Sequence, residues 1–121
     1  MSLSWSCVTL AETHRLEAIY ILFGGDDSLL DFFFHHTEPR LRLPSVDLLK
    51  AATKLDAEEY FLVRAGAEIW NGEISSTIGG LVKRLDDDRL TNFIKAIVHL
   101  REIREPVLHG LIDIENPSFH I

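Results

Sequence analysis

The chain has 121 residues, 46% of them hydrophobic, and carries 19 Asp and Glu against 12 Lys and Arg for a formal charge of −7. With a mean hydropathy of +0.08, that composition excludes a disordered acidic tail, and a length that buries roughly two-thirds of its unfolded surface predicts a single domain over residues 1–121. No apolar run approaches the roughly 18 residues needed to span a bilayer, the first ten residues lack a secretory basic region, and a lone Cys7 excludes an intrachain disulfide or multi-cysteine zinc site, so the expectation is a cytoplasmic protein.

At the start, Leu3, Trp5 and Cys7 alternate with serines, the period of a half-buried strand. Thr9 and Glu12 then have the spacing of a capping box, and Leu16, Ile19, Tyr20 and Phe23 repeat at helical intervals, predicting a helix over 10–23 that Gly24 and Gly25 stop. The run from Ala18 to Phe23 is unbroken and apolar, so Gly24-Gly25-Asp26-Asp27 fits a hairpin turn into residues 29–34 equally well. In the helical alternative, Asp27 or Ser28 caps a short helix carrying Leu29, Leu30, Phe32, Phe33 and Phe34. Pro39 and Pro44 then impose a connector, in which residues 40–43 alternate like a small edge strand.

After Ser45 the helical pattern is clearer. Leu48, Leu49 and Ala52 mark a short helix, and Asp56 with Glu59 forms a second capping box before a helix over 57–70 ended by Asn71-Gly72. Phe61, Leu62, Ala65 and Ile69 form one apolar stripe of that helix; Tyr60, Val63, Ala67 and Trp70 form another. Charges are left only at Glu58, Glu59, Arg64 and Glu68, the pattern of a helix in the middle of a bundle. Ile78, Leu81, Val82 and Leu85 predict a further helix, Asp86, Asp87 and Asp88 break it and cap the next, and Leu90, Phe93, Ile94, Ile97 and Leu100 carry a long helix to near Arg104. The last sixteen residues read as a turn of helix and an extended tail. The predicted fold is mainly α, a compact bundle of five or six helices, with one or two short strands near the N-terminus and in the connector between Pro39 and Pro44.

Helices over 78–85 and 89–104, joined by a tight turn, have the layout of a helix-turn-helix nucleic-acid reader. Arg89, Asn92 and Lys95, with His99, would line its reading face, and Lys83 and Arg84 would meet phosphates. Residues 81–105, however, hold six basic and five acidic side chains, and three consecutive aspartates occupy the turn where phosphates would approach. A nucleic-acid regulator built on residues 78–104 is therefore the alternative reading.

Asp31 with His35, and His109 with Asp113, share i, i+4 spacing, but two ligands do not close a site, and no metal or cofactor is expected. Cys7 has no neighbouring base, Ser75-Ser76-Thr77 reads as a cap, and Gly79-Gly80 lacks the lysine of a phosphate loop, so no enzymatic activity is expected. What stands out is apolar excess. Phe32, Phe33 and Phe34 point about 100° apart on a helix, more than one small core readily receives. With Trp70 they are the candidate anchors of an interface. The reading is a non-enzymatic, small acidic helical interaction or regulatory protein that forms a homo-oligomer and presents an acidic face to a basic protein partner, without a membrane association.

Overall fold

The computed structural model describes residues 3–5, 8–72 and 83–102. Five helices are named among them: α1 (Leu10–Leu22), α2 (Asp27–Phe33), α3 (Ser45–Ala52), α4 (Ala57–Asn71) and α5 (Asp87–Glu102). The fold is the predicted mainly helical one, and the two-helix reading of residues 10–33 replaces the hairpin. Both capping boxes form. The Thr9 hydroxyl accepts from the Glu12 N–H while the Glu12 carboxylate accepts from the Thr9 N–H, and Asp56 and Glu59 do the same at the start of α4.

Gly24 and Gly25 take φ of +62° and +70°, the left-handed pair that reverses the chain between α1 and α2. The cap of α2 is Asp26, not Asp27 or Ser28, because it is the Asp26 carboxylate that accepts from the Leu29 N–H. The expected strands shrink to less than strands. Residues 3–5 run alongside residues 35–36 with one main-chain hydrogen bond, Ser4 N–H to His36 O, and the predicted strand over 40–43 is a single antiparallel bridge between Phe34 and Leu41. Residues 6–7, and with them Cys7, lie outside the described residues, as do 73–82 and the segment after residue 102.

α1 and α5 pack antiparallel: His99 faces Glu17 at 3.9 Å, and Asn92 packs against Gly24. α4 lies on α1, α2 and α3, so α1 and α4 share the centre that the two-stripe pattern assigned to α4 alone. α3 and α4 form a helical hairpin whose open end is held by Asn71 Nδ2 donating to Ser45 Oγ at 2.9 Å. The C-terminus of α4 is closed by Gly72 at φ +75° and by Arg15 Nη1, which donates to the Trp70 carbonyl at 2.9 Å, a cation at the negative end of the helix dipole. Arg42 does the same for α2, donating from Nε to the Phe32 carbonyl at 2.7 Å while its guanidinium stacks on the Phe32 ring.

Six α4 residues, Leu62, Val63, Ala65, Gly66, Ala67 and Ile69, are buried. Gly66 is where Phe23 and Phe33 come down onto the helix: a Cβ there would meet the Phe33 ring at 3.1 Å and the Phe23 ring at 3.2 Å. Tyr20, placed on the inner stripe by its spacing, is instead exposed beside the Gly25 turn, and Ala18 and Leu22 take the inner positions. No helix among the described residues is long and apolar enough to cross a membrane.

The hydrogen bond from the Glu59 N–H holds the Asp56 carboxyl below its ordinary value of 3.8, and the Arg89 charge adds to it, against partial desolvation. A group with a lowered native pKa contributes stability above its unfolded value and loses it as pH falls through the native one. Asp56→Ala should therefore cost about 1 kcal/mol at neutral pH, the typical worth of a cap. The gap between the urea midpoints of wild type and variant should close as pH is lowered through and below 3.8. A gap that persists at the acid end would mean that the carboxylate is not what stabilises the helix start.

Candidate functional site

The sequence-predicted site residues divide into those that the fold buries, those that it ties to a neighbour and those that it leaves outside. Phe33 and Phe34 are 0% exposed and belong to the chain's own core. The expectation that three consecutive phenylalanines overfill one core assumed a continuing helix. α2 ends at Phe33, and Phe34 is extended at φ −98° and ψ +145°, which turns both rings inward. There they stack edge to face at 4.8 Å, and Phe34 also meets Trp5 at 5.3 Å and Trp70 at 5.4 Å. Trp5 anchors the N-terminal segment by donating from Nε1 to the His35 carbonyl at 2.7 Å. Phe32 is half-buried beneath Arg42, and Trp70 is half-buried between Trp5 and Phe34. As surface anchors, Phe33 and Phe34 are withdrawn.

The nucleic-acid candidates do not converge on one reading face. Asp86 caps α5 by accepting from the Arg89 N–H at 2.8 Å, as the sequence implied. The Arg89 side chain turns back to α4, donating from Nη1 to Glu58 Oε2 at 3.1 Å and lying 3.8 Å from Asp56. Glu58 also accepts from the Asp86 N–H, so one carboxylate joins the starts of α4 and α5. Asn92 packs on the turn at Gly24, where a Cβ would come within 2.8 Å of its amide nitrogen. Arg84 stacks on Phe61 with its guanidinium 4.3 Å from the ring centroid, and Lys83 and Lys95 are exposed. The first half of the predicted two-helix unit, residues 78–82, lies outside the described residues; residues 83–84 are helical.

The Asp31 and His35 pair does not form. Because α2 stops at Phe33, His35 falls in the loop, where its Nδ1 accepts from the N–H groups of Thr37 and Glu38 at 3.2 and 3.1 Å, and it is His36 that approaches Asp31, at 3.8 Å. Among the described residues, no three His, Cys, Asp or Glu side chains gather as a metal site. His109 and Asp113 lie outside them, as do Ser75, Ser76, Thr77, Gly79 and Gly80.

Two surface features do emerge. The antiparallel packing of α1 and α5 puts the turn after α1, with Asp26 and Asp27, at the same end as the start of α5, with Asp86, Asp87 and Asp88; Asp87 and Asp88 are exposed. On the outer side of α5, Ile94 and Val98 are 53% and 47% exposed. They follow one another by four residues and so share one face. Neither was singled out from the sequence, where Ile94 counts toward the apolar stripe; a helix packed on α1 along Phe93, Ala96 and Leu100 leaves both of them outside.

The described residues form a helical bundle in which Thr9, Asp26, Asp56 and Asp86 cap helix starts and Arg15 and Arg42 close helix ends. No known protein family, curated protein or solved structure matches the chain.

Proposed function

We propose that the chain is a non-enzymatic interaction protein that self-associates through the outer face of α5 and offers its acidic end to a basic protein partner. The observation that carries this reading is the stripe of Ile94 and Val98, set between exposed Thr91, Lys95 and Arg101. An apolar centre with a polar rim is the composition of a contact surface, and two such stripes packed about a two-fold axis set Ile94 of one copy against Val98 of the other. The exposed Asp87 and Asp88, in a chain of net charge −7, would steer a basic partner to that end of the bundle.

The non-enzymatic part of the reading is supported by what the polar side chains already do. Thr9, Asp26, Asp56 and Asp86 cap helices, Glu58 holds Arg89, and the His35 ring organises its loop. The same occupancy weighs against the nucleic-acid alternative, since Arg89 and Asn92, the two side chains suited to base edges, face neighbours within the fold.

Sedimentation velocity tests the proposal. The wild type should sediment as a species heavier than 13.8 kDa whose mass rises with concentration, and the double variant Ile94→Glu, Val98→Glu should sediment at 13.8 kDa. At about 50 mM salt a labelled random duplex should sediment apart from the protein, whereas polylysine should travel with it and be released at lower salt from Asp87→Asn, Asp88→Asn. A wild type that stays at 13.8 kDa on concentration rejects self-association. A duplex that co-sediments with wild type but not with Arg89→Ala, Asn92→Ala, Lys95→Ala puts the nucleic-acid reading in its place.

A further inference from the structure

The turn from α3 into α4 and the helical residues 83–84 flank an open groove of about 440 Å³, lined by Thr53, Leu55, Tyr60, Phe61, Arg64 and Arg84, with Ala57 of the first turn of α4 at its edge. One wall is aromatic: Tyr60 and Phe61 are tilted against each other with centroids 5.5 Å apart. Arg84 lies across that wall, its guanidinium carbon 4.3 Å from the Phe61 centroid. Arg84 is exposed, and stacking fixes the plane of its guanidinium, the pre-organised form in which arginine recognises a planar oxyanion. Arg64 follows Phe61 by three residues, on the same side of α4, and is steadied by Glu68, whose Oε1 lies 3.7 Å from its Nε.

Charge singles this groove out within an acidic protein. The groove's lining holds two guanidinium groups, Arg64 and Arg84, and no carboxylate, and the exposed Lys54 and Lys83 are the chain neighbours of Thr53 and Arg84. Of the carboxylates closest along the chain, Asp87 and Asp88 are exposed three and four residues beyond Arg84, Asp86 caps α5, and those at the start of α4 are directed to other partners. Asp56 and Glu59 close the capping box of α4, and Glu58 accepts from Arg89 and from the Asp86 N–H.

We propose that this groove binds a small organic anion, a flat ring lying against the aromatic wall of Tyr60 and Phe61 with its oxyanion paired to the guanidinium groups of Arg84 and Arg64. Its volume falls within the range of small-molecule sites, about 300 to 1,000 Å³, and the combination of an apolar wall with a few convergent polar groups is what such sites share. The oxyanion is a carboxylate or a phosphate, and the two give the same contacts here. This site is separate from the outer stripe of α5 and does not depend on the self-association proposed above.

The test is amide-resolved NMR of the full chain titrated separately with benzoate, phenyl phosphate, inorganic phosphate and a peptide of Glu and Phe. At least one aryl anion should shift the amides of residues 53–64 and 83–84 saturably, and which one does so best separates the carboxylate from the phosphate. Inorganic phosphate, lacking the ring, should bind about tenfold more weakly. Arg84→Ala should weaken the better aryl anion by about tenfold, Arg84→Lys should weaken it even though the charge is kept, and Lys95→Ala should leave it unchanged. Arg84 is exposed, so its removal should preserve the dispersed spectrum of the fold; Arg64→Gln provides a second variant with the same expectation. The proposal is overturned if neither aryl anion gives saturable shifts by about 10 mM, a concentration well above millimolar affinity. It is overturned equally if Arg84→Ala and Arg64→Gln bind as the wild type does, or if the peptide occupies the groove while both aryl anions do not.

Discussion

Placing an aspartate at Ala65 should abolish the cooperative thermal melt. Ala65 is 4% exposed on the face of α4 that looks into the core, between Leu62 and Ile69, where the neighbouring buried side chains are apolar. An unpaired carboxylate there either stays charged in a poor solvent or takes up a proton, and each route costs several kcal/mol, against a total stability of about 5 to 15 kcal/mol for a domain. The control is the same substitution eight residues earlier: Ala57 is exposed in the first turn of α4, where a negative charge is favourable to the helix dipole. Circular dichroism melts should therefore show Ala57→Asp within a few degrees of wild type and Ala65→Asp without a cooperative transition. Two variants that melt alike would place α4 at the periphery and overturn the packing described here.

That contrast was legible in the sequence because it rests on local spacing. A capping box needs residues three apart, a stripe needs residues three and four apart, and Asn71-Gly72 ends a helix through the left-handed φ of one residue, so the bounds of α1 and α4 follow from short stretches of chain. What escaped is non-local. Whether Phe34 points with or against Phe33 depends on where α2 stops, and α2 is closed from ten residues away by Arg42, whose side chain takes the Phe32 carbonyl and whose N–H takes that of Phe33. Arg89 reads as a solvent-facing cation until Glu58, 31 residues earlier, is brought beside it. The groove is hidden for the same reason: Phe61 and Arg84 are an unremarkable pair in the sequence and a stacked pair only once the chain between them has turned back. Single-sequence periodicity reports which face of a helix is apolar, not which of two apolar faces is covered, and Ile94 and Val98 fall in that gap.

Phe34→Ser should unfold the domain where Phe32→Ser should weaken it far less, although the two residues are separated only by Phe33. Phe34 is fully buried among Trp5, Phe33 and Trp70, and truncating such a ring costs about 3 to 5 kcal/mol for the lost transfer energy and the cavity, before the unsatisfied hydroxyl is added. Phe32 is half-buried at the edge of the core and its ring is covered by Arg42, with the guanidinium 4.9 Å from the centroid, so its removal forfeits partial burial and one stacked contact, about 1 to 2 kcal/mol. Urea denaturation read by tryptophan fluorescence separates the two, since Trp5 and Trp70 both border the Phe34 ring and report its loss directly. The expected result is a cooperative transition for Phe32→Ser with a modestly lowered midpoint and a Phe34→Ser chain that is unfolded, or close to it, in buffer. Should Phe34→Ser keep a wild-type midpoint and instead dissociate an oligomer, its ring would be an interface anchor after all, and the inward turn at the end of α2 would be wrong.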